Sequence, residues 1–213
     1  MPLARGALAA MAFATLAASG CSSLPADGTA RGEALYKYCV TCHGENGEGN
    51  TLVNAPRIAG LPAWYVEAQV LHFQNGARGA HEADVEGLKM RPMARNLKSD
   101  KDVGVVAAYV ASLPKVKGPA TVKGDAEKGK AAFATCTACH GADGAGNEQL
   151  KAPPIRQLDD WYVTRQLGKF KSGVRGYDAR DTQGQQMGGI AKGIADEAAM
   201  NDLAAYIQTL PMN

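Results

Sequence analysis

The chain has 213 residues, a formal net charge of +2, 46% hydrophobic residues and 21% charged residues. This is enough for one large or two small domains, and it excludes a disordered or collagen-like chain. No block of basic residues occurs, which argues against nucleic acid as a partner, while the low aromatic content of 6% beside 25 glycines points to a thin core that needs a non-protein group to fill it.

Residues 1–20 read as a signal peptide. Arg5 is the only charge before a run of small and apolar residues, Gly6 to Ala18, which is too short to span a bilayer. The run ends in Leu16-Ala17-Ala18-Ser19-Gly20-Cys21. Small residues before a cysteine resemble the bacterial lipobox, although Ala18 stands where leucine is usual. On that resemblance Cys21 is cut free and acylated, which anchors an otherwise exported, periplasmic protein to the membrane. The other reading is a plain signal peptide cut nearby. Ser22 follows in place of aspartate, which by the same resemblance favours the outer membrane. Residues 21–31 have loop composition and suit a tether.

An internal repeat organises the rest. Sliding the chain by 97 residues brings 30 of the 83 positions of 32–114 onto identical residues in 129–211 without a gap. Cys39, Cys42 and His43 fall on Cys136, Cys139 and His140, Trp64-Tyr65-Val66 on Trp161-Tyr162-Val163, and Arg78-Gly79 on Arg175-Gly176. The chain is therefore read as two copies of one domain, 32–114 and 128–213, joined by a linker at 115–127.

Each copy opens on a predicted helix, Arg31 to Cys39 and Glu127 to Cys136, in which Gly32/Tyr36 and Gly129/Phe133 share a face able to meet the last helix of the copy. Next comes Cys-x-x-Cys-His: Cys39, Cys42 and His43, then Cys136, Cys139 and His140. Two thiols three residues apart on a helical turn reach the two vinyl groups on one porphyrin edge, and the following histidine offers a ring nitrogen to the iron. A thioredoxin-like pair needs an α/β pattern that is missing. A zinc ribbon needs four ligands on one metal, and the histidine next to the second cysteine suits a tetrahedral site poorly. A disulfide across so short a span closes a strained loop and leaves the histidine unexplained. Two covalently bound c-type haems are the reading that accounts for both motifs.

A middle helix follows in each copy, carrying Trp64, Val66, Val70 and Phe73 or Trp161, Val163, Leu167 and Phe170, with Gly76 and Gly173 as stop signals. Beyond it lies the sixth iron ligand. His72 aligns with Lys169, His81 with Asp178, Met93 with Ile190 and Met200 with Val103. Only Met90 and Met187 share a register, and a thioether opposite imidazole favours reduced iron. The other reading for either is a flexible core methionine. His72 and His81 have no motif support and read as surface residues; Trp64 and Trp161 read as packing residues of the middle helix, with lining of the haem pocket as the alternative. The last helix carries Val103, Val106, Ala107, Val110 and Leu113, or Leu203, Ala204, Ile207 and Leu210, at helical intervals. Tyr109 and Tyr206 are expected between the terminal helices. No segment alternates with period two, so the fold class is all-α without strands.

The arrangement resembles class I cytochrome c, duplicated, and most closely the di-haem cytochromes of the c-four type, over about residues 29 to 213. The residues that carry the resemblance are Cys-x-x-Cys-His-Gly with trailing glycines, the Tyr- and Gln-containing helix that ends before Arg78 or Arg175, and the runs Met90-Arg91-Pro92-Met93-Ala94 and Met187-Gly188-Gly189-Ile190-Ala191. It implies that the first methionine of each run is the ligand. It implies too that the carbonyls of Pro56 and Pro153 accept from the axial histidines, an ordinary loop turn being the alternative, and that the two haems face each other across the domain interface. Arg78 and Arg175 would pair with haem propionates; solvated surface is the alternative. Repeat two departs slightly, with Ile194 for leucine and a glycine pair before Ile190. The function so implied is one-electron transfer between redox proteins of a respiratory chain, such as a membrane oxidase or dehydrogenase, with no catalysis by the chain itself. The alternatives are a haem enzyme such as a di-haem peroxidase, which would lack the methionine in one domain, and a dedicated cytochrome subunit of a larger membrane enzyme.

Overall fold

The computed structural model describes residues 24–212; the expected signal peptide and Cys21 lie outside the described residues. Two similar helical units follow one another. The first comprises α1 (Gly28–His43), a 3₁₀ turn at Thr51–Val53, α2 (Ala63–Asn75), α3 (Val85–Ala94) and α4 (Asp100–Ser112). The second comprises α5 (Ala126–Phe133), α6 (Thr137–His140), α7 (Asp160–Lys171), α8 (Thr182–Lys192) and α9 (Glu197–Thr209). Among the described residues, extended pairing is confined to two isolated bridges, Asn50 with Ala55 and Asn147 with Ala152.

In each unit the first helix crosses the last at a glycine. A Cβ on Gly32 would run into the Val105 carbonyl and stand 2.9 Å from Tyr109 Cβ; one on Gly129 would run into the Asp202 carbonyl and stand 2.8 Å from Tyr206 Cβ. The missing side chain lets the two backbones touch, and the aromatic residue one turn on completes the joint: Tyr36 meets Tyr109 and Phe133 meets Tyr206 at 5.2 Å between ring centroids. Around these joints lie two cores, one of Leu35, Tyr36, Leu97, Val103, Val106 and Val110, the other built on Phe133, Leu158, Val163, Leu203, Ile207 and Leu210.

Two elements depart from the sequence expectation. α1 continues through Cys39 and Cys42 to His43, whereas in the second unit α5 stops at Phe133 and a separate turn, α6, carries the motif. α3 and α8, which bear Met90 and Met187, have no apolar periodicity to announce them: α3 contains Pro92 and α8 is rich in Gly and Gln. Their starts are instead set by aspartates. Asp84 accepts from the Gly87 amide at 3.1 Å and Asp181 from the Gly184 amide at 2.8 Å. Asp84 and Asp181, with Gly87 and Gly184, are themselves repeated at 97 residues, the signal that marks both helices.

The connection between the units is stitched to the second one. Lys117 Nζ donates to the carbonyls of Gln208 and Leu210 at 2.7 and 2.6 Å. Thr121 and Val122 donate their amides to Asp160, and Asp125 donates its amide to Asp202 and caps α5. The second unit's first helix thus begins at Ala126, inside the stretch expected to be linker.

Candidate haem centres

His43 and His140 are buried at the end of the helical turn that carries the cysteines. The Nδ1–H of His43 donates to the Pro56 carbonyl and that of His140 to the Pro153 carbonyl, each at 2.8 Å; a carbonyl can only accept, so the tautomer is fixed. The ring plane is held, and Nε2 keeps its lone pair for a metal. Burial lowers both imidazoles from the ordinary histidine value, opposed by the hydrogen bond to proline, which keeps them neutral and ready to ligate. Burial pushes the Cys39 thiol up to about 11, with Cys42 adding to the rise, and raises Cys136 as well. Such surroundings suit uncharged thioether sulfurs better than the thiolates a zinc site requires.

In the second unit these residues line a cavity of about 560 Å³, within the range of roughly 300–1,000 Å³ usual for cofactor sites. Cys136, Cys139, His140 and Pro153 lie on its wall together with Met187, Phe170, Leu203 and Ile207. The same wall includes Trp64, Gln69, Leu71 and His72 from α2 of the first unit, so the crevice opens on the interface between the units. Trp64 is thus a cavity residue here, with Lys151 Nζ 5.4 Å from its ring centroid, where the sequence pointed to core packing. Among the other methionines, Met200 is buried in the packing of α9 and Met93 is 37% exposed.

The interface is built with approximate two-fold symmetry around Arg78 and Arg175. Both are buried, which rules out solvated surface. Arg78 donates to Gln69 within its own unit at 2.7 Å and across the interface to the Tyr162 hydroxyl at 2.9 Å and Gln166 at 3.2 Å. Arg175 donates to its own Gln166 at 2.8 Å and across to Gln69 at 3.0 Å and the Tyr65 hydroxyl at 3.3 Å. Each guanidinium also lies over a phenylalanine of its own unit, Phe73 or Phe170. All these partners are neutral, neither arginine forms an ion pair with a carboxylate among the described residues, and the Nε of each is buried without a partner. Burial raises the Tyr162 phenol, but the neighbouring arginine charges outweigh it and hold the group below its ordinary value. The centre of the interface therefore carries two buried positive charges in want of an anion, as a haem with its two carboxylate arms would supply. Residues and cavity fit that group.

Sequence reasoning singled out the arginines, though not their position at the interface, and missed what else joins the units. Lys169 reaches Asp84 at 2.5 Å and Glu86 at 2.6 Å, Arg165 reaches Glu86 at 3.0 Å, and Arg57 donates its amide to Asp159 at 2.8 Å. The residue at the two-fold equivalent of Lys169 is His72, its Nδ1 3.7 Å from Asp181 Oδ1. His72 is therefore an interface residue, contrary to its sequence reading.

The comparisons agree with this geometry. The cytochrome c family profile matches residues 29–114 and again 126–211. Cytochrome c4 of Pseudomonas aeruginosa is 32% identical over 207 residues, covering 92% of this chain and 94% of its own, and that of Azotobacter vinelandii is 32% identical over 209 residues, covering 92% and 95%. A thiosulfate dehydrogenase electron acceptor of Stutzerimonas stutzeri is 31% identical over 170 residues, covering 75% of this chain and 73% of its own. Among solved structures, reduced recombinant cytochrome c4 from Pseudomonas stutzeri superposes with a TM-score of 0.68 at 27% identity, over 87% of this chain and all of that one. The chain belongs to the cytochrome c family: it is two consecutive cytochrome c domains of the di-haem c4 type, carries two covalently attached c-type haems, and works as an electron carrier rather than an enzyme.

Proposed function

We propose that each domain holds its haem by one set of residues from this chain: thioethers from Cys39 and Cys42 with His43 and Met90 on the iron in the first, and from Cys136 and Cys139 with His140 and Met187 in the second. The haem supplies the one-electron couple. With the haem bound, His43 and Met90, or His140 and Met187, would hold the iron, and the surrounding side chains would keep water and substrates from it, so that it would supply electron transfer alone. The observation that carries this reading is the shared cavity wall of Cys136, Cys139, His140 and Met187, with His140 already turned by Pro153. The test is a visible spectrum with haem quantification on the matured protein. Two haems per chain, both low-spin and both with the weak red band of an oxidised iron–thioether bond, are expected; a high-spin iron in either domain would favour the peroxidase-like alternative.

Arg78 and Arg175 are assigned to the haem propionates, on the strength of their buried, unpaired charge. Arg175→Gln is expected to lower at least one of the two haem potentials, because a nearby positive charge favours the reduced iron. A potentiometric titration reads this, and unchanged potentials would reject the assignment.

The carrier is proposed to work in the periplasm, anchored through acylated Cys21. Cys21→Ala should then move the protein from the membrane fraction to the soluble one, and attachment that survives would reject the anchor. For partners, relatives named as thiosulfate dehydrogenase electron acceptors in Stutzerimonas stutzeri and Thiomonas intermedia support delivery from a periplasmic dehydrogenase. Onward transfer would go to a membrane oxidase of a respiratory chain.

A further inference from the structure

The two halves of the domain interface are built alike but charged differently. On one side Lys169 of α7 meets Asp84, the cap of α3, and Glu86 beside it. On the other, the equivalent contact is His72 of α2 with Asp181, the cap of α8. The lysine is a permanent charge and the histidine is a conditional one. His72 Nδ1 and Asp181 Oδ2 are both buried without a hydrogen-bond partner, and both residues line the cavity of the second domain together with Met187. The contact therefore holds a place for one more proton, at the wall of one haem site.

We propose that His72 of the first domain is a positioning and tuning residue for the second domain's haem: when protonated it closes onto Asp181, the cap of the Met187-bearing helix, and raises that haem's affinity for its electron, while in the first domain's half of the interface Lys169 makes the equivalent contact to Asp84. This rests on the assignment of Met187 as a ligand. Burial and four charged groups set the balance at His72. Burial lowers it from its ordinary value, Asp181 opposes this, Arg78 and Arg175 lower it further, and Asp178 raises it. The ring is consequently neutral at neutral pH and takes its proton on acidification. The coupling is reciprocal: one electron entering the second domain from the donor protein makes one proton from solvent bind more tightly at His72 Nδ1, with no bond to iron made or broken.

The test is a potentiometric titration of the holoprotein between about pH 5 and 8, the span over which histidines titrate, for the parent, His72→Gln and His72→Lys. The wave of the second domain is identified by its shift in Met187→Ala. In the parent, that wave is expected to move to lower potential as pH rises. His72→Gln should hold it at the parent's high-pH value, and His72→Lys, which installs the residue found at position 169, should hold it near the low-pH value. The first domain's wave should respond to neither substitution. A parent wave that does not move with pH, or a pH dependence that persists in His72→Gln, overturns the proposal. Red-band absorption on the same samples separates the two readings: its absence from the parent's second domain refutes Met187 as ligand, whereas an intact band with an unchanged slope refutes only His72.

Discussion

Met187→Ala is expected to remove about half of the red absorption band of the oxidised holoprotein, since one of two thioether-ligated irons is lost. One haem per chain should gain the ability to bind carbon monoxide or cyanide, and its reduction potential should fall. The reasons are local. Asp181 fixes the start of α8, and six residues on, Met187 lines the cavity that His140 also lines. Alanine leaves the helix intact, because it is the better helix former, but its methyl group cannot reach across the space the thioether fills. A soft sulfur favours ferrous iron, so its removal stabilises the oxidised form. Met90→Ala should do the same to the other haem. Met200 is 5% exposed within the packing of α9 and Met93 is 37% exposed; Met93→Leu and Met200→Leu should leave band and potentials alone. If Met93→Leu and not Met90→Ala abolishes the band, the ligand of the first domain has been misassigned.

The second large effect is on folding. Gly129→Ala should destabilise the second domain by about 1–3 kcal/mol or more, the usual cost of inserting a group into a tight core. Its Cβ meets the Asp202 carbonyl and Tyr206 Cβ, both on the facing helix and neither the free end of a flexible side chain. The α5–α9 joint must open for it to fit, and with it the contact of Phe133 with Tyr206. Domains of this size hold about 5–15 kcal/mol in all, so a lower thermal midpoint and poorer haem retention should both be measurable. Gly104→Ala is the control: nothing lies within 4 Å of a Cβ built at that position in α4, and a substitution there should be neutral or slightly stabilising.

Much of this was legible before any coordinates. The duplicated Cys-x-x-Cys-His motif declares its own chemistry through spacing. Gly32 and Gly129, each four residues before a large aromatic, marked the helix crossings, because a close approach demands a missing side chain whatever the rest of the sequence does. The methionine-bearing helices were not foreseen, since the charged residues and Pro92 of α3 and the Gly and Gln of α8 leave neither helix the apolar stripe that betrays a helix packed on protein. Nor were the residues that build the interface. Tyr65, Gln69, Tyr162 and Gln166 sit on ordinary helical positions, and their role emerges only when two copies are brought together. His72 looked like surface because the residue it answers, Asp181, lies more than a hundred positions away.

The stitched connection has a kinetic consequence. With Lys117, Thr121 and Val122 bound to the second domain and the arginine network closing the gap, the two redox halves are not beads on a string that must diffuse into register. With the interface hydrogen bonds in place, exchange between them would be a hop over one held distance. Its rate should be indifferent to solvent viscosity and to protein dilution, and only the encounters with outside partners should slow when the medium thickens.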